Sequence, residues 1–161
     1  MKLSYPYFNT NTLKRVEKIL KSGRVNYWTG DECKKFEKEF SEYLGNKHSV
    51  ALSNGSVALE LALRSLKLKK GDKIIVSPRS FIISASCVCN LGLEPIFSDV
   101  DDNGNINIEG IKKIYSKNIK AIIIVHLNGL SCDMDPILKF TKKNKIFLIE
   151  DCSQAHGATY K

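Results

Sequence analysis

The chain has 161 residues, 43% of them hydrophobic, and 25 Lys and Arg against 17 Asp and Glu leave a formal charge of +8. That length holds one ordinary domain with a true core, and the composition is globular rather than fibrous or disordered. No apolar run approaches the ~20 residues that cross a bilayer, the first residues carry no signal-peptide apolar region, and the basic residues are scattered rather than striped with aromatics as in a nucleic-acid module. A cytoplasmic protein without a membrane or nucleic-acid partner is expected; the positive field suits an anionic small substrate.

Leu13, Val16, Ile19 and Leu20 recur at helical spacing, which predicts an amphipathic helix over 9–22 that stops near Gly23. The loop 24–30 follows, with the only Trp, Trp28, beside Thr29. An aromatic loop of this kind is either a binding element or a plug on a core. Phe36, Phe40, Tyr43 and Leu44 share one face of a second helix, 31–44, closed by Gly45.

Beyond that point strands and helices alternate. Strands are expected at 49–52, 73–77, 94–99, 121–126 and 146–149, and helices at 55–66, 80–91, 108–115 and 133–144. Ile82 and Ile83 weaken the second of these helices, because β-branched side chains lose freedom there. The 121–126 strand is the most apolar and belongs at the centre. The alternation argues an α/β fold with a mainly parallel sheet, in two parts: an N-terminal helical segment, 1–45, and a sheet domain, 46–161.

The five cysteines are odd in number, form no C-x-x-C pair, and Cys87 and Cys89 stand too close for zinc spacing. Free buried thiols and no metal centre are expected.

Candidate chemistry gathers where strands end. The first expected strand runs into Ser53-Asn54-Gly55-Ser56 and then a helix. Such a helix start is either an anion site, with free N–H groups and close backbone approach at Gly55, or a plain N-cap by Ser53 or Asn54. Neither a G-x-G-x-x-G nor a Walker loop occurs, against a Rossmann or P-loop site. Phe81 follows the second strand, as a stacking ring or as core. His126 and Asn128 lie in the turn after the fourth, where a lone His is commonly structural. The last strand ends in Glu150-Asp151-Cys152-Ser153-Gln154-Ala155-His156-Gly157. Asp151 is there a helix cap, a partner of a Lys, or a carboxylate for a ligand. Together these features suit a planar, phosphorylated, nitrogen-containing ring: phosphate at the helix start, Phe81 on the ring face, and Asp151 keeping the ring nitrogen protonated so that the ring accepts electrons. Pyridoxal 5'-phosphate (PLP) has that chemistry.

The residues Tyr27-Trp28-Thr29-Gly30, Ser53-Asn54-Gly55-Ser56-Val57-Ala58-Leu59, Gly71-Asp72-Lys73-Ile74-Ile75-Val76, Val125-His126-Leu127-Asn128-Gly129, Asp133-Met134-Asp135 and 150–158 resemble, in order, the N-terminal part of the DegT/DnrJ/EryC1/StrS family of PLP-dependent nucleotide-sugar aminotransferases. The resemblance implies a three-layer α/β fold, the PLP fold type I large domain, lacking its C-terminal strands and small domain. It implies that Asn54, Gly55 and Ser56 hold the cofactor phosphate, Ser56 standing for the family's usual Thr. It further implies that Phe81 stacks on the ring, Asp151 pairs with the ring nitrogen, and Gln154 reaches the ring hydroxyl side. Trp28, Thr29, His126, Asn128 and His156 lie near the substrate by the same resemblance, without a proton-transfer role for His156. The implied activity moves an amino group, from glutamate, to a keto-sugar nucleotide for polysaccharide or glycoconjugate biosynthesis, in a homodimer with its site between subunits. The family's Schiff-base Lys falls beyond Lys161, which should not be given that role, so no catalytic residue is expected within this chain. The alternatives are a truncated, inactive PLP-fold protein and a sugar dehydrase variant that replaces the Lys.

Overall fold

The computed structural model describes residues 6–161. The chain divides into two compact units, Met1–Ala51 and Leu52–Lys161.

In the first unit, Asn9 caps helix α1 (Thr10–Ser22) by accepting the Thr12 N–H at 2.9 Å, and Gly23 ends it in the left-handed region. Helix α2 (Glu32–Leu44) ends the same way at Gly45. An Arg15–Glu32 pair at 2.7 Å links the two helices. Neither helix buries a residue: Leu13, Val16, Leu20 and Phe36 all remain about half exposed or more.

The second unit is a four-stranded sheet in the order β2-β1-β3-β4, parallel throughout. Its strands are β1 (Lys73–Val76), β2 (Glu94–Phe97), β3 (Ile119–Val125) and β4 (Phe147–Asp151); its helices are α3 (Gly55–Ser65), α4 (Ile83–Asn90), α5 (Ile108–Ile114) and α6 (Met134–Asn144). Parallel strands need cover on both faces, and strand alternation sorts the core accordingly. Ile74, Val76, Ala121 and Ile123 pack with Leu59 and Leu63 of α3 and with Cys87 and Val88 of α4. Ile75, Ile122 and Ile124 face the other way, onto Ile108 and Ile111 of α5 and Met134 and Ile137 of α6. The result is three layers. As the apolar run at 121–126 predicts, β3 lies inside the sheet, buried at every residue but Lys120.

Four expectations need correction. Residues 49–52 form no strand; a strand exists only through a paired neighbour, and here a Ser41–Ser49 hydroxyl contact and the Ala51 N–H on the Glu37 carboxylate hold the segment instead. Helix α4 starts at Ile83 rather than at 80: the Ile82 carbonyl accepts the Ser86 N–H at 3.0 Å, while the Phe81 carbonyl before it makes only the tighter turn bond to the Ser84 N–H. Strand β4 runs on through Asp151, because the ladder to β3 continues to the pair Val125–Asp151 and on to the His126 N–H. The thiols are all free, but only Cys87 and Cys132 are buried; Cys33, Cys89 and Cys152 are exposed. Burial pushes the two buried thiols up to about 11.

Candidate functional site

The ends of β3 and β4 and the start of α3 enclose a cavity of about 260 Å³, lined by Gly55, Ser56, Ser80, Phe81, Ile83, Val125, Asp151, Ser153 and Gln154. Asn54 caps α3 by accepting the Val57 N–H at 3.0 Å, and its carbonyl takes the Ala58 N–H. The N–H groups of Gly55 and Ser56 then have no partner among the described residues. These two residues line the cavity, at the positive end of the helix dipole. A Cβ at Gly55 would lie 3.3 Å from the Ser153 hydroxyl, close enough that the serine would have to give by a few tenths of an ångström.

Across the cavity, Asp151 is half-buried, and its Oδ1 accepts the Ser153 N–H at 2.9 Å. Phe81 lines the same space with 66% of its surface exposed, so its ring is not core. The Oε1 of Gln154 accepts the Asn128 N–H at 2.7 Å. Of the residues expected at a cofactor, Gly55, Ser56, Phe81, Asp151 and Gln154 converge, while Asn54 acts one step back as the cap. Ser80, Ser153, Ile83 and Val125 are members that the sequence reading did not single out. The only signal for the two serines is adjacency, Ser80 before Phe81 and Ser153 two residues after Asp151.

His126 and Asn128 do not line the cavity. The pairing of Ile124 with Glu150 and of Val125 with Asp151 places His126 and Glu150 on the opposite sheet face from Asp151. His126 is 4% exposed; its Nδ1 accepts the Cys132 N–H at 3.1 Å, so the proton of the neutral ring sits on Nε2, 3.1 Å from the Glu150 carboxylate. Donor atoms of His126, Glu150 and Cys152 lie within 4.8 Å of one another. Even so, Nε2 offers a cation no lone pair unless the Cys132 hydrogen bond breaks. Burial, then Glu150 and Asp151, raise the Cys152 thiol, which disfavours the thiolate a metal needs.

His156 is exposed in the turn after β4. Lys161 pairs with Asp135 in the first turn of α6, which raises its ammonium above the ordinary value, and it does not reach the cavity lining. Trp28 and Thr29 belong to the first unit, where Asn26 Oδ1 accepts both of their N–H groups at 3.0 Å and Trp28 is 90% exposed.

Comparison with known proteins shows the family. The model of the DegT/DnrJ/EryC1/StrS aminotransferase family matches residues 6–161. The chain belongs to that family. It is 36% identical over 160 residues to the spore coat polysaccharide biosynthesis protein SpsC of Bacillus subtilis, an alignment covering 98% of this chain and 40% of that protein. The crystal structure of an aminotransferase from Psychrobacter cryohalolentis superposes with a TM-score of 0.95 at 47% identity, covering 98% of this chain and 40% of that one. A GDP-4-keto-6-deoxymannose-3-dehydratase with a trapped PLP-glutamate geminal diamine superposes with a TM-score of 0.89 at 30% identity, covering 99% and 43%. The fold is thus an incomplete PLP-fold large domain. The chain spans about 40% of the length of these relatives.

Proposed function

We propose that this chain forms the cofactor-binding part of a PLP-dependent enzyme that transfers an amino group from glutamate to a keto-sugar nucleotide, for polysaccharide or glycoconjugate synthesis. The observation that carries the reading is one cavity with two unpartnered N–H groups at a helix start and a half-buried carboxylate. That donor set fits a group with a phosphate at one end and a basic ring nitrogen at the other. When bound, PLP supplies an electron sink for bond breaking next to the amino nitrogen.

The chain's own residues bind and orient. The Gly55 and Ser56 N–H groups and the Ser56 hydroxyl take the phosphate. Asp151, held by the Ser153 N–H, holds a proton on the ring nitrogen. Phe81 covers a ring face and, with Val125 and Ile83, keeps water from it. None of the residues lining the cavity is a lysine, so a Lys that would bond covalently to PLP would have to come from outside that lining. The working protein is a cytoplasmic homodimer; no described helix is long and apolar enough to cross a membrane.

Pyridoxamine 5'-phosphate (PMP), which needs no Lys, tests this directly. The chain binds it, Asp151→Asn weakens it about a hundredfold, and borohydride traps PLP at no unique lysine. Absence of PMP binding by the wild-type chain overturns the proposal. The dehydratase likeness supports a second reading, a sugar dehydrase; a His at the Schiff-base position of the continuing sequence would select it.

A further inference from the structure

Asn105 is 2% exposed, lies outside the cavity lining, and uses its whole side chain on one object. Its Oδ1 accepts the Leu127 N–H at 3.0 Å, and its Nδ2 donates to the Leu130 carbonyl at 2.9 Å. A backbone N–H can only donate and a carbonyl only accept, so the amide orientation is unambiguous. Asn105 therefore holds both ends of the 127–130 turn. Its own backbone is fixed in turn: its N–H donates to Asp101 Oδ1 at 2.9 Å, and its carbonyl accepts the Asp101 N–H at 2.8 Å. His126 secures the same turn from within, through the Cys132 N–H.

Inside the bracketed turn, Asn128 adopts φ 54, ψ 25. This left-handed conformation is one that Asn and Gly tolerate and β-branched residues do not. It directs the Asn128 N–H to Gln154 Oε1 at 2.7 Å. With Oε1 taken, the amide cannot flip without placing two donors face to face. The NH2 group, which has no partner among the described residues, is what Gln154 can offer the cavity it lines.

We infer that Asn105 and the left-handed Asn128 are positioning residues that lock Gln154 as a hydrogen-bond donor, selecting a ring ligand that carries an acceptor oxygen. The inference rests on the cofactor reading above and adds to it how the loop after β2 and the turn after β3 set a side chain after β4. Asn105 touches no ligand; it acts through the turn.

The test is calorimetric titration of the 161-residue chain with PMP and with its 3-deoxy analogue, which lacks the ring hydroxyl. Wild type prefers PMP by about tenfold, the scale of one buried hydrogen bond. Asn105→Ala and Asn128→Val abolish that preference while leaving the 3-deoxy analogue within about twofold. Asn128→Gly keeps the preference, because glycine adopts the same backbone without a side chain. A role for the Asn128 side chain itself would make the Gly and Val variants alike and would overturn the inference. So would variants that weaken both ligands equally, as a merely structural role predicts, or a wild type that binds both ligands equally. If wild type binds neither, the cofactor reading fails and takes this inference with it. Should Asn105→Ala not fold, the Asn128→Gly and Asn128→Val pair still decides.

Discussion

Helices α1 and α2 carry apolar stripes as clear as those of α3 and α6, yet the two units use them differently. In the sheet unit every helix buries residues against a strand face, whereas α1 and α2 bury none. Amphipathic spacing states what a helix can cover; whether it contributes stability depends on a surface being there to meet it.

The largest break in that comparison comes from the sheet. Ile123→Ala removes a fully buried side chain between α3 and α4 and should cost about 2–5 kcal/mol in urea unfolding. Should it cost no more than an exposed position, the sheet unit does not own the core. Asp151→Asn, whose about hundredfold loss of PMP affinity tests the site, should leave the urea midpoint almost unmoved. Removing the α3 cap with Asn54→Ala should cost about 1 kcal/mol and weaken PMP, since the cap holds the helix start in place. Val16→Ala in α1, where 48% of the side chain is exposed, should change stability by no more than about 0.5 kcal/mol and PMP affinity not at all. A large effect there would mean that α1 is covered in solution.

The buried thiols sharpen the contrast through pH. Cys87 and Cys132 hold their protons to about 11 in the folded unit, above the ordinary thiol value of 9.0. Between those values the unfolded chain binds fewer protons than the folded one, so stability falls as pH rises. The urea midpoint should drop from pH 9 to 11, less in Cys87→Ala than in wild type. A thiol reagent at pH 8 should label Cys33 and Cys89 and spare Cys87 and Cys132 until urea is added.

The sequence shows α5, α6 and the central place of β3 because their patterns are local: periodic isoleucines, a capping Asn107, an unbroken apolar run. It misplaces 49–52 because Val50, Ala51 and Leu52 have strand character, but pairing is a property of neighbours. Gly55, Ser56, Phe81, Asp151 and Gln154 are legible because their chemistry is unusual for where they stand. Ser80 and Ser153 are not, since serines on loops are ordinary. Asn105 is invisible for the same reason: nothing in Asn103-Gly104-Asn105 tells which amide faces inward and finds a turn some 25 residues away.

Strand β4 presents Glu150 and Asp151 in succession, one to each side of the sheet. Deleting a single residue in the short connection at Lys145 and Ile146 would slide the strand by one position, and inserting one would slide it the other way; either shift turns each side chain to the opposite side of the sheet. A deletion would set Asp151 on the His126 side and leave Cys152 in the cavity place; an insertion would bring Glu150, longer by one methylene, into the cavity and set Ile149 on the His126 side. Length at this junction is therefore under a constraint separate from the identity of its side chains: a change in the number of residues should erase ligand binding by moving Asp151 off its place in the cavity.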